Sequence, residues 1–204
     1  MACRKATLVV GMVALAALAA SAVWLPALGN ALTARAEPRR ADAIVLTYAA
    51  MMLPEGLDEA EELYRAEWAP TIVLSDFRIE QRGWDTDRLQ PIARRRLLRR
   101  GIPETALVEI APVPAHELNE AELLRDLFAA RGWGSILLVV RDYRTLRTTA
   151  TLRRVAGAAR LDLIPRPVQA PDVSLSTWWT TREGVAAVTN EWPRIGFYRL
   201  RGWL

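Results

Sequence analysis

Residues 135–154 read S-I-L-L-V-V-R-D-Y-R-T-L-R-T-T-A-T-L-R-R. Ile136, Leu137, Leu138, Val139 and Val140 form an uninterrupted apolar run of strand length. A strand that is apolar on both faces belongs in the middle of a parallel sheet with helices on either side. The run stops at the polar pair Arg141-Asp142, and helical spacing follows. In open α/β sheets, ligands collect where strand C-termini meet helix N-termini. Arg141, Asp142, Tyr143, Arg144 and Arg147 are therefore expected at the edge of any site.

Working outward, the same alternation recurs. Ala41 to Tyr48 reads as a first strand, followed by Glu55 to Trp68 with Leu57, Ala60, Leu63, Tyr64 and Trp68 at helical spacing. The acids early in that helix suit the positive end of its dipole. Thr71 to Ser75 is a second strand, turning at Asp76-Phe77. A third unit, Gly83 to Gly101, is mostly helical and crowded with Arg94, Arg95, Arg96, Arg99 and Arg100. Its Pro91 is tolerable only in the first helical turn. Leu107 to Ile110 is a short strand, Glu117 to Arg131 an amphipathic helix ended by Gly132, and Leu161 to Ile164 a last strand closed by Pro165 and Pro167. From Ser176 onward the spacing of Trp178, Trp179, Val185, Val188, Trp192, Ile195 and Tyr198 suggests an aromatic-rich helix packed on the sheet. The predicted fold is α/β, a three-layer, mostly parallel Rossmann-like sheet of about five strands.

The N-terminus differs in kind. After Arg4 and Lys5 comes an uncharged run to Leu32, whose apolar core, Leu8 to Leu28, matches the roughly 20 residues that cross a bilayer. The preceding cations keep the N-terminus cytoplasmic and put the remainder outside, which in a bacterium is a single-pass inner-membrane arrangement with an extracytoplasmic domain. An uncleaved anchor is the favoured reading. The rival is a signal peptide cut after Ala34-Arg35-Ala36, although the run exceeds the usual apolar length of about 7–15 residues. The expected organisation is anchor 1–33, linker 34–40 and domain 41–204.

The single cysteine, Cys3, precedes the run, so the exported part has no thiol and no disulfide. With His116 the only histidine, a zinc site of ordinary ligands is not expected. No cofactor is expected either. The net charge of +4 is carried by arginine, since Lys5 is the only lysine. A solvated arginine-rich surface is the favoured reading, a surface facing anionic head groups is the alternative, and no nucleic-acid partner is expected.

In order and spacing, the pieces resemble the SanA/YdcF/ElyC-like family of bacterial envelope proteins over about residues 41 to 200. The likeness is carried by Ala41-Asp42-Ala43-Ile44-Val45-Leu46, by Ala69-Pro70-Thr71-Ile72-Val73-Leu74-Ser75, and by Arg100-Gly101-Ile102-Pro103. It continues in His116-Glu117-Leu118-Asn119-Glu120-Ala121, in Leu137-Leu138-Val139-Val140 with Tyr143-Arg144-Thr145-Leu146-Arg147, and in Trp178-Trp179, Asn190-Glu191 and Tyr198. The resemblance implies a membrane-anchored protein assisting cell-wall or envelope-polymer biogenesis alongside protein partners. It also implies an anionic ligand, phosphorylated or nucleotide-like, at the C-terminal edge of the strands.

The departures weigh against catalysis. Family Gly-Gly turns are replaced by Thr47-Tyr48-Ala49-Ala50 and Asp76-Phe77, which deny an anion close backbone approach. Arg144 replaces a histidine, so a proton-transfer group becomes a permanent cation, and Leu118 replaces a glutamate. Asp42, Ser75, Asn119, Tyr143, Arg147 and Glu191 are retained, with Asp87 a stand-in for an acidic residue. The alternative is an active hydrolase or transferase on a phosphorylated or lipid-linked envelope precursor, with Asp42, Ser75, Asp76 and Asn119 around the reaction centre.

The candidate ligand-binding set is Asp42, Ser75, Asp76, Asn119, Asp142, Tyr143, Arg144 and Arg147. Arg144 and Arg147 can present two guanidinium groups to one anion, or Arg147 can be held in a structural ion pair. Asp142 can cap a helix, and His116 and Asn119 can fix a loop. Ser75 has no histidine or lysine near it in sequence, so it is not read as a nucleophile. Asp76 with Asp142 offers the oxygen ligands of a divalent cation.

Overall fold

The computed structural model describes residues 21–76, 89–157 and 161–204. Five parallel strands, β1 (Ala43–Leu46), β2 (Ile72–Leu74), β3 (Leu107–Glu109), β4 (Ser135–Arg141) and β5 (Asp162–Val168), form one sheet in the order β3-β2-β1-β4-β5. Strand order reverses between β1 and β4, which places a crevice at their C-terminal ends. The α/β parallel architecture expected from the apolar runs is present.

Period-two alternation sorts the core into two layers. Ile44, Leu46, Ile72, Leu74, Leu137 and Val139 face one way, onto α3 (Pro54–Arg65) and α4 (Leu89–Arg99). Ala43, Val45, Val73, Ile136, Leu138 and Val140 face the other, onto α5 (Glu117–Arg131) and α6 (Thr145–Ala156). The helix α7 (Arg182–Leu200) adds Val188 and Ile195 to the first layer, along with Trp178 from the turn before it.

Several boundaries differ from the sequence expectation. The first strand ends at Leu46, and Tyr48 opens a short helix, α2 (Tyr48–Met51). The last strand runs through both prolines to Val168. Pro165 accepts the Ala36 N–H at 3.1 Å on the outer side of β5, so its missing donor also points away from β4. Pro167 has the same parity, and an edge strand accommodates both. Pro91 does lie in the first turn of α4. Two of the four arginines of α4 are paired, Arg96 with Asp58 at 2.8 Å and Arg94 with Glu104 and Glu109, and Arg100 just beyond it pairs with Asp58 at 2.6 Å. Phe77, Asp85 and Asp87 lie outside the described residues.

The N-terminal boundary also moves. Residues 21–30 are helical (α1), and the segment that follows belongs to the domain core. Leu32 is fully buried. The Trp178 indole N–H donates to Leu25 O at 2.8 Å, that of Trp192 to Leu28 O at 3.3 Å, and Leu146 N–H to Leu32 O at 3.0 Å. The expected linker lies along β5, held by Arg39–Asp162 at 2.5 Å and by Arg166, which donates to Ala36 O at 3.3 Å. Among the described residues no helix is long and apolar enough to cross a membrane. Most of the apolar run, up to residue 20, lies outside them.

A Cβ on Gly29 would stand 2.2 Å from Leu175 O and 2.7 Å from the Trp178 ring, whereas one on Gly134 would meet nothing within 4 Å. Gly29→Ala is accordingly expected to destabilise the full-length protein by about 1–3 kcal/mol. Gly134→Ala should leave urea unfolding almost unchanged, and equal midpoints for the two variants would refute the docking of α1.

Candidate functional site

Polar side chains gather where β1, β2 and β4 end. Thr47, Ser75, Asp76, Glu120, Asp142, Thr145 and Arg147 are all buried there or in the adjoining helix turns. Asp76 follows β2 and accepts the Gln90 N–H at 3.1 Å, opening α4. The Gln90 side chain donates to Leu74 O at 2.9 Å and Ile110 O at 3.3 Å, so it ties the ends of β2 and β3 together.

Two of the expected site residues are committed to structure, one of them at the opposite edge. Asp42 precedes β1 and lies at the opposite, N-terminal edge of the sheet. Its Oδ2 accepts from the Gly134 and Ser135 N–H groups, both at 2.8 Å, and from the Ser135 hydroxyl at 2.9 Å. Burial pushes its pKa up, but those donors more than offset this and hold the carboxyl below its ordinary value. Asp42 therefore joins β1 to β4 and touches no ligand site. Asn119 is a capping residue: its Oδ1 accepts from Ala115 N–H at 3.1 Å, and its own N–H donates to His116 Nδ1 at 3.1 Å, at the start of α5. His116 is the N-cap of α5.

Arg147 is likewise committed to structure. Only 2 % of it is exposed, and its Nε donates to Glu191 at 2.5 Å while Nη1 donates to Glu117. Its guanidinium lies 5.1 Å from the Tyr198 ring. Burial would lower its pKa, but the charges of Glu117 and Glu191 outweigh that and raise it. Arg147 and Arg144 therefore do not act as a pair on one anion. Asp142, the first residue of the short turn after β4, accepts its neighbour's N–H, from Tyr143, at 2.8 Å. Desolvation raises its pKa to about 6, with Tyr143 N–H and Arg141 opposing. No cluster of three or more metal-ligating His, Cys, Asp or Glu groups occurs among the described residues.

Tyr143 and Arg144, together with Arg141, do meet at an open site. They line a cleft of about 280 Å³ between the end of β4 and α7, whose far wall includes Asn190 and Arg194. Arg141 Nη1 donates to the Tyr143 hydroxyl at 2.9 Å, and both Arg141 and Arg144 lie within 6 Å of the Tyr143 ring, at 5.7 and 5.8 Å. The Nε of each arginine is buried without a hydrogen-bond partner. Asp172 and Glu183 also line the cleft.

Sequence reasoning passed over Glu120. It sits on the inward face of α5, one position from buried Ala121, and only 4 % of it is exposed. Burial raises its pKa to about 7; Glu117 adds to the rise, while the Ser75 hydroxyl, the Tyr48 N–H and Arg144 oppose it. The Ser75 hydroxyl is near enough to matter, yet neither Ser75 Oγ nor Glu120 Oε1 completes a hydrogen bond. A cavity of about 10 Å³, close to the size of one water, adjoins Glu120, Thr47 and Thr151. The signal that could have flagged this residue was an acid at a core-facing helical position.

Two outcomes follow from these placements. The raised pKa means that folded Glu120 keeps its proton between about 4.5 and 7, where the unfolded chain has released it. Stability from this group is greatest at the acidic end and falls as pH rises through that window. Glu120→Gln should therefore gain stability relative to the parent between pH 5 and 8, by up to roughly 3 kcal/mol, in paired thermal unfolding curves. A difference independent of pH would show that Glu120 titrates normally. Arg147→Met, which leaves two carboxylates without their partner, should cost about 3–5 kcal/mol in denaturant unfolding.

Neither protein-family models nor curated proteins give a match to this chain. The chemistry of the site therefore rests on its geometry.

Proposed function

We propose that this protein is a membrane-anchored bacterial envelope protein whose α/β domain binds an anionic ligand through Arg141 and Arg144 at the C-terminal edge of β4. The single observation that carries the reading is the pair of buried guanidinium Nε atoms with no hydrogen-bond partner, flanking Tyr143 in an open cleft. Neither Nε makes a bond that commits its guanidinium to the fold, so the two groups keep capacity for charge-assisted bonds to a phosphate or carboxylate oxygen in the cleft. Planar guanidinium groups suit such oxyanions better than ammonium groups do.

Membrane attachment is supported by the apolar run Leu8 to Leu28 and by the way α1 is built into the core, since cleavage after Ala36 would remove buried Leu32. Membership of the SanA/YdcF/ElyC-like family, and with it a part in cell-wall or envelope-polymer biogenesis, is supported by the ordered motifs from Asp42 to Tyr198. Ligand capture rather than turnover is favoured because Asp42 and Asn119 stand away from the cleft, which leaves Ser75 and Asp76 of the expected reaction centre. One observation favours turnover as a second reading: a carboxyl raised to about 7, Glu120, lies within the field of Arg144. A group poised near neutral pH is suited to general acid or base work.

The reading is tested by thermal shift of the detergent-solubilised full-length protein with inorganic phosphate and pyrophosphate. Binding should raise the Tm, and Arg141→Ala and Arg144→Ala should each abolish the rise without lowering the unliganded Tm by more than a surface substitution does. An undiminished shift in both variants would remove the cleft from consideration.

A further inference from the structure

The anchor and the cleft meet at one place. The N-terminal segment is held by Leu146 N–H on Leu32 O, by the Thr33 hydroxyl on Asp142 O at 3.4 Å, and by Trp178 and Trp192 on the carbonyls of Leu25 and Leu28. Two of these holding points adjoin cleft residues in the chain: Asp142 lies between Arg141 and Tyr143, and Trp192 follows Glu191. Gly29 packs against Leu175, two residues beyond Val173 of the cleft wall.

The level of the bilayer can be read from α1 itself. Val23 is 74 % exposed and Trp24 50 %, so two large apolar side chains project from the folded domain immediately after residues 1–20. Tryptophan at the end of an apolar run favours the head-group layer. From Trp24 to Leu32 is eight residues, about 12 Å of helical rise. Leu32, which is held beside the cleft, thus lies within about 12 Å, roughly two head-group thicknesses, of the Trp24 level.

The charges point the same way. Three guanidinium groups line the cleft, from Arg141, Arg144 and Arg194, against three carboxylates, from Asp172, Glu183 and Glu191. With three positive and three negative charges, the cleft has no net field to steer a soluble anion from bulk. An anion already confined to the adjacent surface needs no such steering.

We infer that the cleft takes the phosphate headgroup of a membrane-resident anionic lipid rather than a free anion. This rests on the assignment of Arg141 and Arg144 as the anion site. The lipid supplies a phosphate mono- or diester to the Arg141 and Arg144 guanidinium groups while its chains stay in the bilayer, and the docked α1 fixes the distance between the two.

The test uses the full chain, in a Cys3→Ser background, in nanodiscs of phosphatidylcholine with or without phosphatidic acid. A fluorophore is attached at Ala186→Cys, on the exposed lip of the cleft, or at Ala130→Cys, near the opposite edge of the sheet. A nitroxide carried on lipid head groups should quench the first strongly and the second weakly; equal quenching overturns the membrane-facing cleft. Phosphatidic acid should raise the Tm, and Arg144→Ala should abolish the rise. A rise with inorganic phosphate but none with phosphatidic acid overturns the lipid assignment and leaves the anion cleft standing. No rise with either overturns both.

Discussion

Burial of Arg147 between two carboxylates is the constraint on which the C-terminal half of the molecule depends. The residue starts on α6, Glu117 is the first residue of α5, and Glu191 lies midway along α7. One guanidinium therefore links three helices at the edge where the strands end, with the Thr148 hydroxyl donating to the second Glu117 oxygen at 2.9 Å. A buried charge set of this kind contributes little to net stability compared with apolar packing, but it tolerates no missing member. That intolerance fixes how α7 sits against α6, and so fixes the wall of the cleft opposite Arg141 and Arg144. Arg147 positions the site without belonging to it.

The two edges of the sheet divide the polar residues by role. At the N-terminal edge Asp42 is saturated by three donors and simply staples β1 to β4. At the C-terminal edge several polar atoms remain incompletely bonded, including Ser75 Oγ, Glu120 Oε1 and the Nε of two arginines. Unpaired buried groups are tolerated where function asks for them and are eliminated elsewhere. The hydroxyls of Thr149 and Thr151 on α6 are also unbonded, and the contrast between the two edges supports the C-terminal one as the candidate.

Much of the architecture was legible in the chain. Five apolar runs of strand length alternating with helical spacing determine a parallel sheet, because no other arrangement covers both faces of strands such as Ile136 to Val140. The candidate edge was legible for the same reason, and of the residues expected there Tyr143 and Arg144 line the cleft. The role of Arg147 was not, since its partners are 30 and 44 residues away and i,i+3 spacing with Arg144 says nothing of them. Asp42 was grouped with the site through the motif it belongs to, although its place at the start of the first strand puts it at the N-terminal edge. The linker was misjudged because its polar composition hides the backbone pairing of Ala36 with Pro165. Glu120 was hidden among the surface acids of α5, and only tertiary burial distinguishes it.

The prolines of β5 have a consequence beyond their own strand. An exposed edge of a parallel sheet is a template on which a strand from another molecule can pair. Here the outward positions carry Pro165 and Pro167, which have no amide hydrogen to offer, and Ala36 already occupies an outward carbonyl. The other edge, β3, is only three residues long. Copies at high local concentration would collide often, and neither margin gives a neighbouring strand a continuous ladder to join. Crowding then leads to separation rather than to shared sheet growth.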